Sequence, residues 1–384
     1  MSDFVYADNA ATTRIADEVL EAMLPYLKEN YGNASSVYKF GRDNHQAIEK
    51  ARKSIAGLIG ASAMEIFFTS CGSESDNWAL KGTARRLAAA EGKRHIITTA
   101  IEHHAILHSA QALEKEGFEV TYLPVDSLGM VSVDAVRDAI REDTALVSVM
   151  YANNEVGTIQ PVSEIGALCR EKGILFHTDA VQAAGILPID VKAQNIDMLS
   201  MSAHKFNGPK GIGVLYCRRG QFPENFMDGG AQERGHRAGT ENVANIVGMA
   251  KAFEMACGEM EEKTERLRVL RDHIIEGLLK IHDSALNGDP EKRLPGNVNV
   301  SFAKIDGQSL IFDLDLEGVA ASSGSACASG SLDPSHVLLA MGIPYEMAHG
   351  SLRVSLGRYS SRSDAERIIK AVTDVVAGLR GEKK

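Results

Sequence analysis

SEIGALCREKGILFHTDA, residues 163–180, holds a helical pattern followed by an apolar strand pattern that ends on an acid, Asp179. The same alternation recurs on both sides. Strand patterns EIFFTS (65–70), HIITTA (95–100), EVTYLPV (119–125) and TALVSVMYA (144–152) precede it, and DMLSMSA (197–203) and GIGVLYCRR (211–219) follow. Between them lie the helical stretches ADEVLEAMLPYLKENYG (16–32), NHQAIEKARKSIAGLIG (44–60, with Gly60 as its C-terminal cap) and HAILHSAQALEKEG (104–117). DNWALKGTARRLAAAEG (76–92) reads as a further helix, entered through a small-residue turn, CGSES. Short apolar strands alternating with helices predict βαβ units around a mostly parallel, buried sheet. Ligands of such sheets sit beyond the carboxyl ends of the strands.

The texture changes at Cys257. EMEEKTERLRVLRDHIIEGLLKIHD (259–283) is a long, highly charged helix, and NVNVSFA, SLIFDLDLEG and SLRVSLGR predict a smaller α+β unit closed by the helix DAERIIKAVTDVVAGLRG (364–381). A chain of 384 residues is expected to form two domains. The expected division is a large α/β domain over 13–256 and a small domain of 1–12 with 257–384. Hydrophobic content of 44% and charged content of 24% suit a soluble globular protein. The net charge of −10 argues against nucleic acid as a partner, because phosphate contacts need a basic surface. No apolar run reaches the span of about 18 residues that a membrane helix needs. The N-terminus MSDFVYADNA lacks a signal-peptide pattern, so a cytoplasmic location is expected.

Five cysteines, Cys71, Cys169, Cys217, Cys257 and Cys327, show no CxxC spacing and no Cys/His cluster for zinc. Cys169, Cys217 and Cys257 fall in helix or strand patterns and read as small buried hydrophobes. Cys327 differs, because its surroundings, SSGSACASGS (322–331), contain only Ser, Ala and Gly besides the thiol.

SAHKFNGPKGIGVLY (202–216) places Lys205 after a strand and before a Gly-rich turn. A lone strand-end lysine is usually solvated. Here Ser202 and His204 supply neighbouring donors, and Gly208, Gly211 and Gly213 allow close backbone approach, which suits a Schiff-base lysine in a phosphate-binding pocket. Asp179, with Gln182 three residues on, reads either as a helix N-cap or as the carboxylate that keeps a pyridinium nitrogen protonated. TSCGSESDN (69–77) offers strand, turn and helix start, with Gly72 and Ser73 as anion contacts. His103 and His104 in IEHHAIL read as a ring-stacking group or as helix caps.

Ten motifs in order now carry a resemblance: YADNAATTR, TSCGSESDN, AIEHHAIL, YANNEVG, FHTDAVQAAG, SAHKFNGPKG, QERGHRAGTEN, LPGNVNVSF, ASSGSACASG and HGSLRVSLGR. They run from Tyr6 to Arg358, almost the whole chain. The sequence resembles the cysteine desulfurases of the NifS/IscS type, class V enzymes of pyridoxal phosphate (PLP) fold type I. The resemblance implies a seven-stranded, mostly parallel large-domain sheet and PLP as cofactor. It implies Lys205 as the Schiff-base lysine, Asp179 at the pyridinium nitrogen and His103 stacked on the ring. Gln182 would bond the phenolic oxygen, while Gly72, Ser73, Ser202 and His204 would hold the phosphate. Thr240 of RAGT would reach the phosphate in the neighbouring subunit of a homodimer. Asn154 and Arg353 would hold the substrate carboxylate, a task that suits the guanidinium fork.

Cys327 then resembles the nucleophile that takes sulfur as a persulfide, and its Ser/Gly/Ala setting reads as a mobile tether between pocket and acceptor. The SSGSAC form resembles group I of the family. Ala7, Ala34 and Tyr38 depart from the usual motifs, away from the assigned catalytic groups. The expected reaction turns L-cysteine into L-alanine, with sulfur passed to an iron–sulfur scaffold protein or another acceptor. No intrinsic metal is expected, although the Cys327 thiolate is also a candidate transient ligand to iron shared with a scaffold. A selenocysteine lyase or other class V enzyme would not need Cys327. A sulfur-relay protein without catalysis would bind no PLP.

Overall fold

The computed structural model describes residues 4–323 and 333–382; Cys327 lies outside the described residues. The strands in chain order are β1 (Val5–Tyr6), β2 (Ile66–Thr69), β3 (His95–Thr99), β4 (Glu119–Leu123), β5 (Thr144–Ser148) and β6 (Leu175–Asp179). They continue with β7 (Met198–Ser202), β8 (Gly213–Cys217), β9 (Ser284–Leu286), β10 (Asn297–Phe302), β11 (Val319–Ala320) and β12 (Ser351–Ser355).

Seven strands form the large sheet, in the order β2-β8-β7-β6-β5-β3-β4. Only β8 runs against its neighbours, pairing antiparallel with both β2 and β7; the remaining pairings are parallel. Every predicted strand of this sheet is present. Successive residues face opposite sides, as the pleat requires. Phe68, Phe176 and Tyr216 join one apolar cluster, while their neighbours Phe67, Leu175 and Leu215 join another. Burial on both faces is why these strands read as continuous apolar runs instead of alternating ones. The first cluster is roofed by the helices Asp17–Lys28, Lys39–Leu58 and Val243–Gly258. The second is covered by Trp78, Leu80, Leu87, Ile106 and Leu113.

The helix expected to start at Asp76 starts earlier, at Gly72, passes through a π turn at Trp78–Gly82, and ends at Glu91. CGSES is therefore largely the first turn of a helix. Its small residues look like loop, but Glu74 accepts from Ser70 N–H at 2.7 Å and pairs with Arg237, and Ser75 is fully buried against Thr69.

β10 carries β12 on one side and β9 on the other, all antiparallel. The helices Met260–Leu278, Gly307–Leu316 and Arg362–Leu379 pack on this sheet. The same cluster takes in Val5 and Ala7, because β1 pairs in parallel with β11. SLIFDLDLEG is thus mostly helix, with Leu310 and Leu314 buried four residues apart and Asp306 as N-cap. No helix among the described residues is long and apolar enough to cross a membrane.

Candidate active site

β2, β3, β5, β6 and β7 end at one rim of the large sheet, and the segments that leave them line a cavity of about 410 Å³. Lys205 sits on the tight turn Ala203–Lys205 directly after β7. Its Nζ donates to the carbonyl oxygens of Ala10 and, at 2.9 Å, Ala11. Asp179 is the last residue of β6 and is buried; its Oδ1 accepts from Val181 N–H at 2.9 Å. Burial raises its carboxyl above the ordinary range, with the Val181 N–H and the Lys205 ammonium pulling back. Asp179 caps the turn that follows it and also lines the cavity.

His103 is the N-cap of the helix His104–Glu114, and its Nδ1 accepts from Ala105 N–H at 3.1 Å. Burial, then the Lys205 charge, pushes its pKa down to about 4. The ring is neutral near neutral pH, and with Nδ1 accepting, its proton sits on Nε2. His104 follows on the helix and tilts against His336 at 4.8 Å. Ligand-type atoms of Asp76, His103 and Asp179 lie within 4.8 Å of one another.

Gln182, Gly72, Ser73, Ser202, His204, Asn154 and Arg353 all reach the same cavity. Gln182 Nε2 donates to Ala10 O at 3.0 Å. His204 Nδ1 lies 3.1 Å from Thr12 Oγ1, and burial lowers its pKa to about 4. At Gly72 an added Cβ would stand 2.7 Å from Val181 Cγ2, so only glycine lets the helix start pass this close to the cavity floor. Arg353, on β12, is 2% exposed; its Nη2 donates to Asp8 Oδ1 at 2.8 Å and its Nη1 to Asn154 O at 3.1 Å. Arg353 Nε is buried without a partner. Thr240 does not join the others in this chain. It is exposed and does not line the cavity. Cys327 is outside the described residues, but Ser323 O, on its N-terminal flank, accepts from Ser351 Oγ at 3.1 Å.

Besides Asp179, three buried acids around the rim, Asp76, Glu102 and Glu155, escaped the sequence reading. Asp76, behind Asp179, has an Oδ1 without a hydrogen-bond partner. Burial, then the Asp179 charge, holds it well above the carboxylate range. His177 lies 3.7 Å from Asp76, but burial pushes it down to about 3, so the contact is not an ion pair. Glu102 accepts from Thr99 Oγ1 at 2.7 Å and Met150 N–H at 3.0 Å, and burial raises it to about 8. Glu155 is raised by burial to about 7.

These residues fit PLP. A buried acid at the cavity floor would meet a pyridinium nitrogen, the neutral His103 ring offers a flat face, and the amine of Lys205 is held at the end of a short turn. The Gly72 helix start, with Ser73 and Ser202 beside it on the cavity wall, would suit an anion.

The aminotransferase class-V family profile matches residues 5–368. A protein described as cysteine desulfurase IscS, from Methanosarcina thermophila, is 57% identical over 376 residues, 98% of this chain and 93% of that protein. A solved structure described as a NifS-like protein superposes with a TM-score of 0.92 at 40% identity, covering 98% of this chain and 100% of that one. Another, described as SspA in complex with cysteine, gives a TM-score of 0.82 at 37% identity over 93% of this chain and 100% of that one.

Proposed function

The chain belongs to the aminotransferase class-V family, and from that membership we propose that it is a PLP-dependent cysteine desulfurase. It converts L-cysteine to L-alanine and carries the sulfur as a Cys327 persulfide. The reading rests on one observation: Lys205, Asp179 and His103 converge at strand ends on a cavity that Arg353 also enters.

PLP, when bound, supplies an electron sink that labilises bonds at the substrate's α and β carbons. Lys205 would hold it through its amine, and that same amine would move the α proton. Asp179 would keep the ring nitrogen protonated, and His103, neutral with its proton on Nε2, would offer its flat face to the ring and serve proton transfer. Gln182 would bond the phenolic oxygen. Gly72, Ser73, Ser202 and His204 would hold the phosphate, joined by Thr240 of a second copy in a homodimer, as the exposure of Thr240 supports. Arg353 and Asn154 hold the substrate carboxylate; the buried, unpartnered Nε of Arg353 supports a ligand there. The Cys327 thiolate attacks the substrate sulfur. An S–S bond forms, the C–S bond breaks, and its electron pair stays on carbon, which takes up a proton to become the methyl group of alanine.

The persulfide is then delivered to an iron–sulfur scaffold protein or another thiol acceptor, in the cytoplasm. Transient ligation of iron by Cys327 would belong to that handover, with no metal resident in the enzyme. We propose that the chain divides into a large domain, 13–256, and a small one, 1–12 with 257–384, as the separate clusters around Phe176 and Phe302 support.

The test is to incubate the protein with L-cysteine and a reductant and quantify alanine, beside Cys327→Ala. Alanine from the wild type alone is expected. Equal alanine from Cys327→Ala would remove the persulfide step and favour a lyase. No alanine and no PLP absorbance from the wild type would remove the enzyme reading.

A further inference from the structure

Two of the motifs, YANNEVG and LPGNVNVSF, carry buried groups that the chemistry above leaves without a task. They meet at the turn 153–157. Asn153 Oδ1 accepts from the N–H groups of Glu155 at 2.8 Å and Val156 at 3.0 Å, and its Nδ2 donates to Ile101 O at 2.9 Å. From β10, Asn297 Nδ2 and Asn299 Nδ2 each donate to Glu155 O at 3.1 Å. From the adjacent β12, where Arg353 pairs with Asn299, the Arg353 guanidinium donates to Asn154 O. The small sheet therefore grips the main chain of both Asn154 and Glu155.

The Glu155 side chain reaches the other way. Its Oε2 accepts the Ser335 hydroxyl. A serine hydroxyl has one proton and two lone pairs. With the proton committed to Glu155, the oxygen accepts from the N–H groups of Val337 at 3.1 Å and Leu338 at 3.4 Å, and so caps the helix His336–Ala340. On the opposite flank, Ser322 N–H donates to Arg353 O at 3.1 Å, and Arg353 N–H donates back to Ser322 O at 2.6 Å. Ser322 and Ser335 lie on either side of residues 324–332, which include Cys327. Both flanks are bonded to the unit that bears Asn154 and Arg353. A buried carboxyl is costly unless bonded, and Glu155, 5% exposed, is bonded at just this junction.

We infer that Glu155 is a positioning residue for sulfur transfer: it ties Ser335 to the unit that bears Asn154 and Arg353, and the cost of losing that tie falls on persulfide formation. Asn297 and Asn299 hold that unit from the small sheet. The inference rests on the desulfurase reading.

The experiment uses the holoenzyme of the wild type and of Ser335→Ala, Glu155→Ala and Glu155→Gln. Two readouts are taken: the L-alanine concentration that half-saturates the change in the cofactor absorbance band, and the rate of Cys327 persulfide formation at saturating L-cysteine without reductant, followed by intact mass. Ser335→Ala is expected to slow persulfide formation about tenfold, the size of losing one hydrogen bond to a charged or strongly polar acceptor, with L-alanine binding unchanged. Glu155→Ala is expected to impair both. Glu155→Gln, whose amide oxygen still accepts from Ser335, is expected to restore persulfide formation to within about threefold. Should Glu155→Ala fail to fold, the contrast between Ser335→Ala and Glu155→Gln decides. Persulfide formed at the wild-type rate by Ser335→Ala, or equal losses in Ser335→Ala and Glu155→Gln, would overturn the inference and leave the desulfurase reading intact. A wild type that forms no alanine from L-cysteine would overturn both.

Discussion

Glu233→Ala is expected to destabilise the protein by about 3–5 kcal/mol, the cost of breaking a buried ion pair from one side. The pair is bidentate: Arg52 Nη1 and Nη2 donate to Glu233 Oε2 and Oε1 at 2.7 and 2.8 Å, with both side chains under 5% exposed. Removing the carboxylate leaves Arg52 charged in the interior with Ile66 O and the half-exposed Glu49 as its remaining partners. It also strips Phe68 N–H of its acceptor, Glu233 Oε2 at 2.9 Å, which alone costs about 1–3 kcal/mol. Glu233→Gln, which keeps an acceptor for Phe68, is expected to cost roughly 2 kcal/mol. Adding Arg52→Met to it is expected to recover part of the loss, because no charge is then left unpaired. Urea unfolding at fixed protein concentration measures this, followed by the fluorescence of Trp78, the sole tryptophan. Trp78 is a good reporter because it packs at 5.5 Å on Phe67, the neighbour of Phe68. The loop that Glu233 anchors holds Glu233 and Arg234 at φ of 44° and 61° and leads to Thr240. Loosening it is therefore expected to weaken PLP retention as well. A Glu233→Ala protein that unfolds within about 1 kcal/mol of the wild type would refute the reasoning, since that is the behaviour of a solvated pair.

Gly72→Ala is expected to cut PLP retention about tenfold with the fold intact, because the new Cβ would stand 2.7 Å from Val181 Cγ2 and force Val181 to move; absorbance after dialysis measures it. Asp76→Asn is expected to leave retention nearly unchanged, since burial and the Asp179 charge favour the protonated form of Asp76, which an amide imitates, whereas Asp179→Asn is expected to lose most cofactor. Equal damage from the two would mean that Asp76 is ionised. Glu102, raised by burial from 4.5 to about 8, keeps a proton in the folded state that the unfolded chain releases. Stability from this group is thus full below 4.5 and lost as pH climbs through about 8, by at most roughly 5 kcal/mol. Glu102→Gln is expected to flatten that decline in thermal midpoint, and an unchanged slope would count against the buried acid.

The seven strands of the large sheet were legible because burial on both faces leaves apolar runs that hardly resemble anything else. Their ends were legible with them, which is how Asp179 and Lys205 could be placed at one rim. The helix start at Gly72 was not, because small residues read as a turn until Arg237, far along the chain, is seen to pair with Glu74 at 2.7 Å. SLIFDLDLEG, grouped with two strand patterns, shows its helix only through the burial of Leu310 and Leu314. Asp76, Glu102 and Glu155 could not be told from surface acids, since a carboxyl carries no mark of its own burial. Strand order was equally hidden, because β2 comes first in the large sheet yet borders β8, the last.

The N-terminal segment has a consequence for how the protein is made. Lys205 is held by Ala10 and Ala11, whose segment is itself secured by Val5 to Val319, by Asp8 to Arg353, and by Ala10 N–H to Ser355 Oγ at 2.8 Å. Ala10 waits for a partner 345 positions downstream, made long after the strands of the large sheet. A nascent chain that already displays the finished large sheet still lacks the wall that orders its lysine. A chain cut short before Ser355 is therefore expected to hold Lys205, and with it the cofactor, less firmly.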